Sequence, residues 1–158
     1  MEKAENQLKY ENYREQFKRL NSAIRSGFNL EALFIEYAII EDRTESILQH
    51  AEKWEAYLKK RGRNGPTLTS KVVYIQKLLE SNRKDLMHKY LFDDLFDRIL
   101  AWKDDRNRLI HALIKQQLQH NEVSMLATQG KQLVDELRNR SGNYNRAMDR
   151  QRAKEAQP

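Results

Sequence analysis

The chain of 158 residues contains no cysteine, which removes disulfide frameworks, thiolate metal ligands and cysteine nucleophiles together and suits a reducing compartment. Proline, with 2 residues, and glycine, with 5, are scarce, so few positions break a regular backbone. No apolar run approaches the roughly 20 residues needed to cross a bilayer. The opening segment Met1-Glu2-Lys3-Ala4-Glu5 lacks the apolar core of a signal peptide. The expectation is a cytoplasmic protein without a membrane partner.

What is present is charge, at 33% of residues. Together with the shortage of helix breakers this predicts long helices with solvated faces and an all-α fold. The length suits one domain with a core of its own. The net charge of +6 is a weak pointer to a polyanion, because 23 acidic residues are interspersed with 29 basic ones. The excess gathers at the end, where Arg138, Arg140, Arg146, Arg150, Arg152 and Lys154 face only Asp149 and Glu155.

Apolar spacing predicts a first helix over 3–25, with Tyr10, Tyr13, Phe17, Leu20 and Ile24 on one stripe and Gly27 as its stop. Asn29 caps a second helix expected to run from Leu30 to about Lys60. The segment Arg61-Gly62-Arg63-Asn64-Gly65-Pro66 reads as a loop, since no Walker lysine-serine pair or dinucleotide spacing follows its glycines. Thr69 or Ser70 caps a third helix through Leu79, and a polar stretch over 81–89 separates it from the next. A fourth helical region starts near Phe92, meets Lys103-Asp104-Asp105-Arg106-Asn107-Arg108 as a break or cap, and resumes to Leu118. A last helix covers about 122–138. The sum is a compact bundle of four to five helices over 1–140, followed by a basic, flexible tail over 141–158.

The chemistry centres on Arg106-Asn107-Arg108-Leu109-Ile110-His111. An arginine can hold and neutralise a phosphate bidentately. A histidine titrates near neutral pH and can take a proton from a ribose hydroxyl or return one to a leaving oxygen. The bare spacing discriminates little, because Arg43 with His50 and Arg83 with His88 satisfy it too. Only the third copy carries an amide directly after the arginine, and Asn107 shares a helical face with His111. On an unbroken helix Arg106 and His111 point about 140° apart. They converge if Asp104 or Asp105 starts a helix there, or if two subunits meet across a two-fold axis. The plainer alternative pairs Arg106 with Asp104 or Asp105 at the surface and leaves His111 at the core edge beside Ile114.

The run Asp105-Arg106-Asn107-Arg108-Leu109-Ile110-His111-Ala112-Leu113, late in an all-α chain, resembles the signature of HEPN (higher eukaryote and prokaryote nucleotide-binding) domains. In these, Arg is followed by Asn, Asp or His and then by a histidine. The resemblance implies a dimeric, metal-independent endoribonuclease that needs no cofactor, with the Arg and His of both subunits lining one cleft. Arg106 would stabilise the phosphorane-like transition state, His111 would transfer protons and Asn107 would orient them. Apart from the resemblance, Arg108 beside these residues and Arg43 on the second helix are candidate RNA contacts. The setting the resemblance suggests is a toxin or defence effector held by an antitoxin or regulatory protein, while many members of the family have lost catalysis and serve as binding or scaffold modules. Toxins silenced by modification of a hydroxyl often carry Tyr two positions after the histidine, where this chain has Leu113.

Glu36, Arg43 and His50 are seven residues apart in succession and form a polar line on the second helix. It reads either as a solvated edge, with Glu36 and His50 in water, or as a line along which Arg43 reaches RNA phosphate. Metal chemistry has little footing. Asp93, Asp94, Asp97, Asp104 and Asp105 are dense, but no His-Glu-x-x-His or paired Glu-x-x-His occurs. No local pattern supports a Ser-His-Asp triad. The competing function is a non-catalytic helical module that docks a protein partner, or holds nucleic acid through the basic residues between Arg138 and Lys154.

Overall fold

The computed structural model describes residues 2–157, with side chains from residue 4. Among these the chain forms seven α-helices and no strand: α1 (Glu2–Ser26), α2 (Asn29–His50), α3 (Trp54–Arg61), α4 (Leu68–Ser81), α5 (Leu86–Leu91), α6 (Leu95–Ala112) and α7 (His120–Glu155). A single 3-10 turn, Gly62–Asn64, follows α3. None of the described helices is long and apolar enough to cross a membrane.

The chain divides into two compact units, Met1–Ile39 with Trp102–Gln132, and Ile40–Ala101 with Leu133–Pro158. In the first unit, α1 ends where Gly27 takes φ 74°, a backbone state that glycine adopts without a Cβ penalty. The Ala32 amide then donates to the Phe28 carbonyl, so Phe28, not Asn29, is the capping position of α2 and Asn29 is its first helical residue. Leu20, Ala23, Leu33, Trp102, Leu126 and Ala127 are buried in this unit. The Trp102 indole N–H donates to the Leu126 carbonyl at 3.0 Å, pinning α6 to α7 while satisfying the ring's one polar atom.

The second unit holds the turn that the sequence hid. Instead of one helix to Lys60, α2 stops at His50 and Glu52 takes φ 56°. Ala51-Glu52-Lys53 contains good helix formers, so propensity gave no warning. The break is stabilised from afar: Arg152 donates to the His50 carbonyl and pairs with Glu52 at 3.4 Å. A cation there suits the negative end of α2. The helix after the glycine loop is capped by Thr67, two residues before the expected position. Thr67 Oγ1 accepts from the Ser70 amide and Ser70 Oγ accepts from the Thr67 amide, both at 3.1 Å, a reciprocal capping box.

Two further expectations are corrected. The acidic and basic cluster at 103–108 neither breaks nor caps a helix, because α6 runs through it to Ala112. The segment 141–155 is helical, continuing α7, and buries Ser141, Tyr144 and Ala147. Its Arg152 is committed within the unit, to the His50 carbonyl and Glu52, and Arg140 just before it pairs with Asp93 and, at 3.0 Å, with Glu136. Lys71, 2% exposed, is satisfied by the Glu41 carbonyl at 3.1 Å and its carboxylate at 3.6 Å.

Candidate functional site

Arg106, Asn107, Arg108 and His111 all lie on the last two turns of α6, in the first unit. Their register on one unbroken helix decides where each points. Arg106 turns toward α2, where its guanidinium carbon lies 5.0 Å from the ring centre of Phe34 and 4.5 Å from that of Tyr37. Phe34 and Tyr37 are three residues apart and share a face of α2, so they form one aromatic bracket. Arg106 Nη1 donates to Asn107 Oδ1 at 3.1 Å, and its Nε is buried without a hydrogen-bond partner. Loss of water pushes the Arg106 pKa down, while nearby Tyr37 acts the other way. An arginine keeps its proton through such a change, so the group is a stiffly held, partly dehydrated cation.

This placement overturns the plain surface reading. Arg106 pairs with neither neighbouring aspartate: Asp104 is bound by Lys103 at 2.8 Å and Asp105 by Arg108. Phe34 remains 54% exposed and Arg106 is half-buried, so the bracket sits at the surface of the unit.

His111 is exposed and does not edge a core; its supposed neighbour Ile114 is 98% exposed. Because α6 is continuous, its period sets Arg106 and His111 about 140° apart. One protomer does not bring the two groups together through its own helix. Arg108 is exposed, and with Asp105 it lines a groove of about 390 Å³ that also includes Gln116, Glu122 and Gln129. Arg43 belongs to the second unit, where it is half-buried and its Nε donates to Asp42 at 3.1 Å.

Glu36 was missed as an interior residue. It is fully buried, and neither carboxylate oxygen has a hydrogen-bond partner. Burial pushes its pKa up to about 9, against a weaker opposite pull from Lys131. The signal was in the sequence, since Glu36 stands three after Leu33 and four before Ile40 and so shares their buried stripe. His50 is half-buried with its ring Nδ1 2.9 Å from the Ser46 carbonyl. The polar line is therefore not a solvated edge.

The first unit also exposes apolar side chains. Phe28 of the α1–α2 turn, Leu30 in the first turn of α2 and Leu113 after α6 line a groove of about 530 Å³ together with Leu118, His120 and Val123. Among the described residues no three His, Asp or Glu side chains are grouped as metal ligands. No family model, no curated protein and no solved structure matches this chain.

Proposed function

We propose that the chain is a metal-independent endoribonuclease of the HEPN type, working as a homodimer whose cleft takes Arg106 from one protomer and His111 from the other. His111 removes the proton of a ribose 2′-hydroxyl, the oxygen attacks the adjacent phosphorus, and the bond to the 5′-oxygen breaks. The leaving oxygen takes up a proton, giving a 2′,3′-cyclic phosphate and a 5′-hydroxyl. Arg106 stabilises the charge that develops on the phosphoryl oxygens, which is where most of the rate comes from. Asn107 holds the guanidinium, and Arg108 supplies a further phosphate contact. A toxin or defence effector of the cytoplasm, held by an antitoxin or regulatory protein, is the setting that fits such an activity.

The observation that carries this reading is the preorientation of Arg106. Two aromatic rings and an amide fix a cation at the surface of the unit, the stiffness a charge-stabilising group requires. The exposed Phe28, Leu30, Leu113 and Ile114 supply apolar surface for a second copy.

The test uses mixed RNA in EDTA with the folded variants Arg106→Ala and His111→Ala. Each alone is inactive. Mixed and allowed to exchange subunits, they regain about a quarter of the wild-type rate, since half the dimers are mixed and each then has one intact composite site. Inactive mixtures rule out the shared cleft, and cleavage undisturbed by either substitution rules out the site.

A second reading is favoured by the same stacking. A guanidinium locked under two rings also serves as a packing element, which suits a non-catalytic module that binds RNA or a protein partner. That reading predicts no cleavage by the wild-type chain and a loss of stability, without loss of binding, in Arg106→Ala.

A further inference from the structure

The second unit contains a cavity of about 220 Å³ between α3 and α4, lined by Tyr57, Lys60, Arg61, Ser70, Tyr74 and Lys77 together with Val73. Three of its lining residues are cations and none is acidic. By contrast Arg19, Lys71, Arg98, Lys103, Arg108, Arg140 and Arg152 are each paired with a carboxylate. Lys60, Arg61 and Lys77 have no acidic partner among the described residues. Like charges gathered around one hollow repel each other, and an anion seated between them reverses that cost.

The rest of the lining adds shape. The buried Tyr57 hydroxyl lies 2.7 Å from Ser70 Oγ on the floor. Arg61 Nε donates to the Gly65 carbonyl at 2.7 Å, which fixes the guanidinium and leaves its terminal nitrogens for a ligand. Tyr74 is held edge-on by Tyr57, with ring centres 5.5 Å apart and planes at 66°. The Lys60 ammonium lies 5.7 Å from the Tyr74 ring centre. Aromatic faces interleaved with cations are what a single strand needs, bases stacking while phosphates are neutralised. The volume is below the roughly 300 Å³ of ordinary small-molecule pockets, which favours one nucleotide of a passing strand over an enclosed cofactor.

We propose that the α3–α4 cavity is an RNA-holding site separate from Arg106 and His111, with Lys60, Arg61 and Lys77 on a backbone phosphate and Tyr74 under a base. That its ligand is RNA rests on the nuclease reading; the location rests on the cavity. It gives the loop at 61–66 a role beyond connection, because Gly65 orients Arg61.

The test measures binding of a fluorescent 12-nucleotide single-stranded RNA to the full chain by anisotropy at several salt concentrations. All proteins carry His111→Ala, so the strand stays intact. Replacing Lys60 and Lys77 together, by Glu in one variant and by Gln in another, raises Kd about tenfold or more and lowers the salt slope by about one. Tyr74→Leu raises Kd about tenfold with the slope kept, and Tyr74→Phe restores binding because the stacking face remains. Circular dichroism confirms that each variant is folded. Unchanged Kd and slope in both lysine variants overturn the proposal, as does absence of RNA binding by the His111→Ala parent. Cleavage unaffected by Arg106→Ala in the wild-type background removes the nuclease site, while lysine-dependent binding leaves this one standing.

Discussion

Gly130 of α7 and Glu36 of α2 approach so closely that a Cβ built on the glycine would lie 2.0 Å from Glu36 Oε2 and 2.8 Å from the Trp102 ring. The glycine is there for space: the hydrogen in place of a side chain makes room for a buried carboxyl. Gly130→Ala is expected to destabilise the fold by about 1–3 kcal/mol through overpacking, although alanine is the better helix former by about 1 kcal/mol. Chemical denaturation checks it. A second substitution, Glu36→Ala, should recover most of the loss, and additive effects in that double-mutant cycle would show the contact to be absent.

Glu36 also gives stability a dependence on pH. Its folded-state pKa is raised to about 9 from an unfolded value near 4.3. Above the unfolded value the unfolded chain releases the proton and the folded chain keeps it. Stability from this group is therefore fully present at low pH and declines as pH rises toward 9. The slope between these limits is at most about 1.4 kcal/mol per pH unit. Glu36→Gln removes the titration, so the variant gains on the wild type between pH 5 and pH 8 in urea unfolding. A constant difference across that range would mean that Glu36 is hydrated or paired.

The sequence exposed the periodic parts of this fold and concealed the parts made by distant residues. The stop at Gly27 and the burial of Phe17, Leu20, Leu33, Ile40, Ile47, Ile75 and Leu79 follow from local spacing, but Tyr10, on the same spacing in α1, is 56% exposed because the stripe outruns the core. The elbow at Glu52 does not follow from local spacing, because Arg152 stabilises it across 100 positions of chain. The run at 103–108 looked like a cap for want of apolar residues, yet its charges are neutralised by near neighbours on the helix surface, Lys103 by Asp104 and Arg108 by Asp105. At the candidate site the run from Arg106 to His111 was legible as residues, though not the direction in which each points. The aromatic bracket was not, since Phe34 lies off the apolar stripe and meets Arg106 only through packing.

The end of α7 provides a direct measure of how far the basic segment belongs to the fold. Tyr144 is 1% exposed and Ala147 5%, and Asn145 donates to Ser46 Oγ at 3.2 Å. Tyr144→Ala should cost about 3–5 kcal/mol, the range for removing a buried aromatic side chain, and removal of residues 141–158 should lower thermal stability sharply. A flexible tail would leave both unchanged. Binding experiments that delete this segment therefore test folding as well as charge.

Arg106→Lys separates a charge from a plane. Lysine keeps the cation but has neither the flat face that rests on Phe34 and Tyr37 nor the fork that reaches Asn107. Stacking of this kind contributes about 0.5–2 kcal/mol, so the variant should unfold at slightly lower denaturant. For the nuclease, the expected result is a rate close to that of Arg106→Ala at every RNA concentration, because a loosely tethered ammonium does not hold the developing oxyanion in one place. Salt-dependent RNA affinity, set by the number of cations, should change little. A lysine variant that cuts at the wild-type rate would show that charge alone suffices and that the bracket serves packing.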